Sequence, residues 1–493
     1  MIQILIDADN VTPAARVEAL LDAAPLDVCE IVAAGRRRAL DTVRWPAGAV
    51  LHEASAEEDA DALLIRAYRR SNEPLVLASG DGGFASLATG HPGPVLIVSV
   101  KPSKRLQAAG TVIDPISEGG GDALRRWFDG VRPRAVRPRA RLRDLGHAVG
   151  RFPTGPRNAI VDVPGVRVGH LTLIEDSPDG GVTRTGVTAI MPHPGNIWAE
   201  KVVGACHIIN GHGKATGLSQ LAELGTIESP ILITSTLAIG AVWDGGLRHI
   251  LAHNPEAGRD GGTVNVIVAE CFDGWLGDAR RLPLTPEHAL VAIAAASEHE
   301  TSEGSVGAGT GTTCIGFKAG VGTASRVTLA APTWMLGCLV VANYGSPDDL
   351  HLLVGSGAHA SDMAGHADHE SKGGSVIVVL ATDAPLSERQ LRRVAARATH
   401  GLARAGSIAS HPSGDYVIAF STAHRIPHRS PRPYTDFRFL RDDSPILREL
   451  FETAAEVTRE AVLNALCAAD SMTGRDGHRA EAFPYRLLGP ACR

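Results

Sequence analysis

The feature that most restricts how this chain can fold is a change of texture near residue 117. There a glycine run gives way to arginines alternating with prolines and small residues, in SEGGGDALRRWFDGVRPRAVRPRARLR. Proline removes a backbone donor and fixes its own φ, and a run of like charges repels itself, so the segment favours a solvated connection over a core element. At 493 residues the chain has the length of two or three ordinary domains. The sequence therefore predicts one domain over residues 1–117, a basic Pro/Gly linker over 118–137 and a second domain over 138–493. Phosphate contact by arginines such as Arg125, Arg132 and Arg137 is the alternative to a solvated role.

Ahead of that boundary, apolar runs at 2–7, 28–34, 74–79 and 94–100 alternate with amphipathic stretches starting near Pro13, Glu57 and Gly83. Strands that are apolar throughout and separated by helices imply a parallel sheet covered on both faces, an α/β arrangement. Asp7, Asp9 and Asn10 follow the first strand, Asp59 and Asp61 begin a helix, and Asp81 follows PLVLAS. Ligands gather at the carboxyl ends of strands in an open parallel sheet, so Asp7 and Asp81 can converge there. Clustered carboxylates repel unless a divalent cation sits among them, and such a site can bind Mg²⁺ or Mn²⁺ and activate water against a phosphodiester. The plain alternative is a helix cap and turn aspartates. The pattern LIDADN, EEDADALL, LASGDGGFASLA resembles the NYN domain, a branch of the PIN-like ribonucleases. The resemblance implies a PIN-like α/β/α domain, RNA as partner, and Asp7, Asn10, Asp61 and Asp81 as metal-site residues, with Asp9 as a further one. Gly83 stands where the motif often carries another acid.

Beyond residue 158 glycine-rich turns separate β-branched runs. The run 375–381, SVIVVLA, is an apolar stretch of strand length. A helix is expected over 387–406, because Ser387 and Gln390 make a capping box, Leu391, Val394, Ala398 and Leu402 share a face, and Gly406 is a natural stop. A strand over 416–422 and a helix over 445–469 follow. Ser375 heads its strand after two glycines. A serine hydroxyl needs a base, and one solution is the serine's own α-amine, whose pKa of about 7.7–8.0 suits neutral pH. That requires the preceding bond to break and leave the serine as a new N-terminus; an ordinary turn is the competing reading.

The stretches RLRDLGHAVGRFPTGPRNAIVDVPGVRVGHLTL, GAGTGTTCIGFKAGVGTASR, GGSVIVVLATDAPL and SMTGRDG, in that order, resemble the L-aminopeptidase D-amidase/D-esterase family, which includes the β-peptidyl aminopeptidases. The resemblance implies an αββα sandwich of that type, self-cleavage between Gly374 and Ser375, and Ser375 as N-terminal nucleophile. It further implies roles for Ser413 and Asp415 beside the nucleophile and for Asn343 as an oxyanion donor, no cofactor, and short peptides, amides or esters as substrates. Three positions depart from the family pattern: Asp415 where glutamate is expected, Lys214 where an acid is expected, and Leu237 where histidine is expected. The competing functional readings are a metal-dependent RNA-processing nuclease carrying the peptidase region as a scaffold, and an acyltransferase. The GAGTGT loop lacks the lysine and spacing of a phosphate-binding loop and reads as a structural turn. His359, His366, His369 and Glu370 read as a solvated polar loop rather than a metal cluster.

The net charge of −6 argues against a chain built mainly to coat nucleic acid or a membrane. Seven scattered cysteines without metal spacing read as reduced core thiols. No secretory start or long apolar run is present, so a cytoplasmic chain without a membrane partner is expected, assembling as a homo-oligomer.

Overall fold

The computed structural model describes residues 2–11, 13–26, 29–46, 48–55, 58–68, 74–131, 139–354 and 374–488. The chain forms two compact units, Met1–Arg137 and Pro138–Arg493. His359, His366, His369 and Glu370 lie outside the described residues.

The first unit holds strands β1 (Ile2–Asp7), β2 (Cys29–Gly35), β3 (Val50–Glu53), β4 (Leu75–Ala78), β5 (Val95–Val98) and β6 (Thr111–Ile113). They pair in parallel in the order β3-β2-β1-β4-β5-β6. Helices α1 (Ala14–Ala23), α2 (Arg37–Leu40), α3 (Ala60–Ala67), α4 (Ala85–Gly90), α5 (Lys104–Gln107) and α6 (Gly120–Val131) connect or flank them. Alternation along β1 explains its unbroken apolar run. Ile2, Ile4 and Ile6 face a core shared with Leu20 and Phe128, whereas Leu5 faces another shared with Leu64 and Phe84.

Part of the expected linker, residues 118–137, is instead helix α6. Leu124 and Phe128, four apart, are buried against the core that also holds α1, while Arg125 and Arg126 fall on the exposed side. The helical period of the apolar residues outweighs the charge run because it finds a core to face.

The second unit runs β7 (Arg167–Asp176), β8 (Val182–Met191), β9 (Glu200–Gly211), β10 (Ala215–Thr216), α7 (Leu218–Leu224), β11 (Thr226–Ile227), β12 (Ile231–Ser235), α8 (Ile239–His253), β13 (Ile267–Cys271) and α9 (Pro286–Ala294). It continues with β14 (Thr313–Cys314), β15 (Phe317–Lys318), β16 (Val321–Val327), β17 (Met335–Asn343), α10 (Leu350–Val354), β18 (Ser375–Thr382), α11 (Glu388–Ala403), β19 (Gly414–Pro427) and α12 (Pro445–Cys467). One sheet has the order β10-β13-β12-β8-β7 and the other β11-β9-β19-β18-β17-β16.

The side chains of β18 show the layering. Ile377, Val379 and Ala381 share a core with Ile233, Val268, Val242 and Ala289, from the five-stranded sheet and from α8 and α9. Val376, Val378 and Leu380 share the other with Leu391 and Val394 of α11 and Leu450 and Val457 of α12. The unit is thus four layers, helix on sheet on sheet on helix. Ser387 caps α11 through a capping box with Gln390, and Gly406 beyond it has φ +85°. Among the described residues no helix is long and apolar enough to cross a membrane.

Candidate active site

Ser375 is the first residue of β18, which lies between β17 and β19. The register sets Asn343, the last residue of β17, opposite it on one side and Gly414, the first of β19, on the other. Ser375 Oγ donates to the carbonyl oxygen of Gly374 at 2.7 Å, and the Gly414 N–H donates to the same oxygen at 3.1 Å. A hydroxyl therefore sits against the carbonyl of the preceding peptide bond while a backbone donor polarises that carbonyl, and all three residues are largely shielded from solvent.

Glycine is required here for space. A methyl on Gly414 would meet Gly213 Cα at 2.5 Å, its nitrogen at 2.8 Å and Ser375 Oγ at 3.4 Å. Gly213 is held in turn by Tyr416, whose hydroxyl donates to its carbonyl at 2.7 Å.

Asn343 is 7% exposed, and its carboxamide is oriented at both ends. Oδ1 accepts from the Thr313 N–H at 3.1 Å, and Nδ2 gives one hydrogen to the Phe272 carbonyl at 2.9 Å. Ser413 Oγ donates to Asp415 Oδ1 at 2.5 Å, and both residues are buried. The turn before them is pinned by Asn210, which donates to the carbonyls of Ser410, His411 and Ser413. Asp415 Oδ2 is buried without a partner. Burial raises the Asp415 carboxyl above the ordinary aspartate range, against the lowering effect of the Ser413 and Val376 hydrogen bonds.

A further set of acids at the ends of the five-stranded sheet went unnoticed in the sequence. Glu270 accepts from the Lys214 N–H at 3.0 Å and from the Thr236 hydroxyl, and the Lys214 ammonium lies 3.8 Å away. Asp273 accepts from the hydroxyls of Ser235, at 2.6 Å, and Thr185, and burial pushes its carboxyl up to about 6. The signal was present in VAECFDG, an acid ending an apolar run with an Asp-Gly turn after it. Leu237 and Phe272, both about half exposed, line a cleft with Asp278 and Arg475, and the carbonyl of Phe272 is the one that holds Asn343. The GAGTGT loop is a buried turn, and Lys318 donates from its wholly buried ammonium to the carbonyls of Gly309 and Ala319. Burial brings that lysine down to about 7.

Matched against known protein families, residues 158–480 fit the model of peptidase family S58. The chain belongs to that family. It is 36% identical over 370 residues to the β-peptidyl aminopeptidase BapA of Sphingosinicella microcystinivorans, covering 71% of this chain and 90% of that protein. Among solved structures, a β-aminopeptidase of a Burkholderia species superposes with a TM-score of 0.64 at 39% identity, covering 71% of this chain and 97% of that one. The L-aminopeptidase D-Ala-esterase/amidase of Ochrobactrum anthropi, described as a prototype for the serine aminopeptidases and a variant of the Ntn hydrolase fold, gives a TM-score of 0.63 at 35% identity, with 71% and 97% covered. Members of the S58 family are aminopeptidases, and this chain is an enzyme of that kind with Ntn-hydrolase-like neighbours.

The residues expected to form a metal site belong to the first unit. Asp7 is buried at the end of β1, where Asn10 Nδ2 and Ser79 Oγ donate to its Oδ2 at 2.6 and 3.0 Å. Burial and the charges of Asp7, Asp81 and Asp59 raise Asp61 to about 6. Asp81 caps the short turn Gly82–Phe84, and a methyl on Gly83 would meet Asp61 Oδ2 at 2.8 Å. Among the described residues no three His, Cys, Asp or Glu side chains converge as a cation would need, so no step is assigned to Mg²⁺ or Mn²⁺.

Proposed function

We propose that residues 138–493 form a self-processing serine aminopeptidase or amidase whose nucleophile is Ser375. The observation that carries this reading is the contact of Ser375 Oγ with the Gly374 carbonyl, with the Gly414 N–H donating to the same oxygen. Attack of Oγ on that carbonyl carbon forms an ester and breaks the Gly374–Ser375 C–N bond. The nitrogen becomes the α-amine of Ser375, and water then hydrolyses the ester to leave Gly374 with a free carboxylate and Oγ with its proton. The freed α-amine, with a pKa close to neutral, serves as the base for Oγ in each later turnover. Its protonated form would be a partner for the buried, otherwise unpartnered Asp415 Oδ2, and Ser413 holds the other carboxylate oxygen in place.

In turnover Ser375 Oγ attacks the carbonyl of a short peptide, amide or ester, the amine or alcohol leaves, and water releases the acyl group. Asn343 is the oxyanion donor of this reading. Its carboxamide is fixed by Thr313 and Phe272, and one of its two Nδ2 hydrogens goes to Phe272, leaving the other for the developing charge. In this reading Leu237, in the cleft beside Phe272, and Lys214, held at Glu270, bear on which acyl group is preferred.

Intact-mass measurement and a denaturing gel test the proposal. The wild-type chain is expected as two fragments broken at Gly374–Ser375. Ser375→Ala is expected as one piece with hydrolysis reduced by on the order of 10³-fold or more. Active enzyme that remains a single chain would overturn it.

A further inference from the structure

We infer that the second unit carries another binding site, a cavity at the opposite end of the five-stranded sheet from Ser375, that takes a small carboxylate with an apolar body. The register separates the two places. Cys271, which ends β13, contacts the Ser375 carbonyl through its thiol, and Ser235 ends β12 beside it. The cavity lies past the other end of β12, where Arg167 opens β7 and Met191 closes β8 as a paired couple. Helix α8 joins the two ends, beginning after the Thr236 turn and finishing with His249 and His253 against the cavity.

The cavity has a volume of about 440 Å³, within the range that holds a small organic molecule. Its walls include Met191, Ile250 and Ile293, all buried in the core. Its polar end is cationic and imidazole-rich, and no described lining residue is a carboxylate. Arg167 Nε is buried there without a hydrogen-bond partner. A buried donor left unpaired costs free energy comparable to a lost hydrogen bond, and the guanidinium that carries it brings its positive charge to the cavity wall. A carboxylate meets a guanidinium with two parallel hydrogen bonds, and the apolar walls call for a hydrocarbon body behind it. The rings of His249 and His253 stand 4.7 Å apart beside this group. Burial, His253 and Arg167 hold His249 down to about 4, so it is neutral near pH 7 and can share in the hydrogen bonding. An inorganic anion would satisfy Arg167 but leave the apolar walls facing water.

Titration calorimetry on the full-length chain, with 3-phenylpropionate, its neutral amide and inorganic phosphate as probes, tests the assignment. The acid is expected to bind saturably, with the amide and phosphate at least about tenfold weaker. Arg167→Ala should weaken acid binding by about tenfold or more while leaving peptide hydrolysis unchanged. Leu290→Trp, which fills the cavity and keeps Arg167, should abolish binding and carries the test if Arg167→Ala fails to fold. Equal affinity for acid and amide, phosphate binding as tight as the acid, or acid binding untouched by both variants would each overturn the inference. Because hydrolysis is read separately, failure here leaves the assignment of Ser375 standing.

Discussion

Placing a methyl group on Gly414 probes the centre at its tightest point. In Gly414→Ala the new carbon would sit 2.5 Å from Gly213 Cα and 2.8 Å from Gly213 N, both backbone atoms that cannot swing aside. Carbon contacts are comfortable near 3.5–4.0 Å, so the two segments must part by about 1 Å. Overpacking of this kind costs about 1–3 kcal/mol of stability. The larger effect is geometric, because β19 carries the Gly414 N–H, whose 3.1 Å bond to the Gly374 carbonyl has little room to lengthen. Loss of one oxyanion donor, or a displacement of about 1 Å at reacting groups, costs on the order of 10²-fold in rate. The expected result is therefore self-cleavage slowed by on the order of 10²-fold, followed by gel over a time course after rapid purification. Gly374→Ala is the matched control. Its methyl would meet Asn343 O and Tyr344 Cα at 3.1 Å, which a few tenths of an ångström relieve, so its rate should stay within about tenfold of the wild type. Wild-type cleavage by Gly414→Ala, or greater damage from Gly374→Ala, would refute the reasoning.

Two further substitutions separate charge from shape. Asp415→Asn keeps the volume and an acceptor for Ser413 but removes a buried negative charge, so activity should fall by on the order of 10²-fold while thermal stability holds or rises; parallel loss of both would show the residue to be only structural. Asp273, pushed by burial up to about 6, binds its proton more tightly in the folded than in the unfolded chain. Its ionisation therefore subtracts stability as pH rises through roughly 4 to 6, by up to about 3 kcal/mol. In denaturant melts, Asp273→Asn should gain on the wild type by about that amount between pH 4 and pH 7, and a pH-independent difference would count against it.

Elements whose whole signal is local were legible in the sequence. β18 and α11 appear within three residues of their expected limits, because an unbroken apolar run, a capping box and a four-residue hydrophobic spacing each act over a few neighbours. β3 was not anticipated, since Val50 and Leu51 are exposed and the strand is held by its ladder to β2 rather than by burial. Helix α6 was hidden by its arginines. The site shows the same division. Ser375, Ser413, Asp415 and Asn343 could be named from motifs, yet Gly414, between two of them, drew no notice, because its importance lies in a contact with Gly213 some two hundred residues earlier in the chain. Glu270 and Asp273 were missed for a like reason, their hydroxyl partners arriving from separate segments.

The central position of β18 carries a last consequence. Its eight residues are laddered to β17 on one side and β19 on the other. A break before Ser375 would fall where the chain enters the sheet, and no ladder bond within the strand would be lost. The piece from Ser375 onward would contribute β18, β19, α11 and α12, whereas the earlier piece would keep β9 and β17 as bare flanks of the same sheet. Neither could bury its apolar faces alone. The fragments would then behave as a complementing pair, melting as one body in denaturant, and dissociation would be the same event as unfolding.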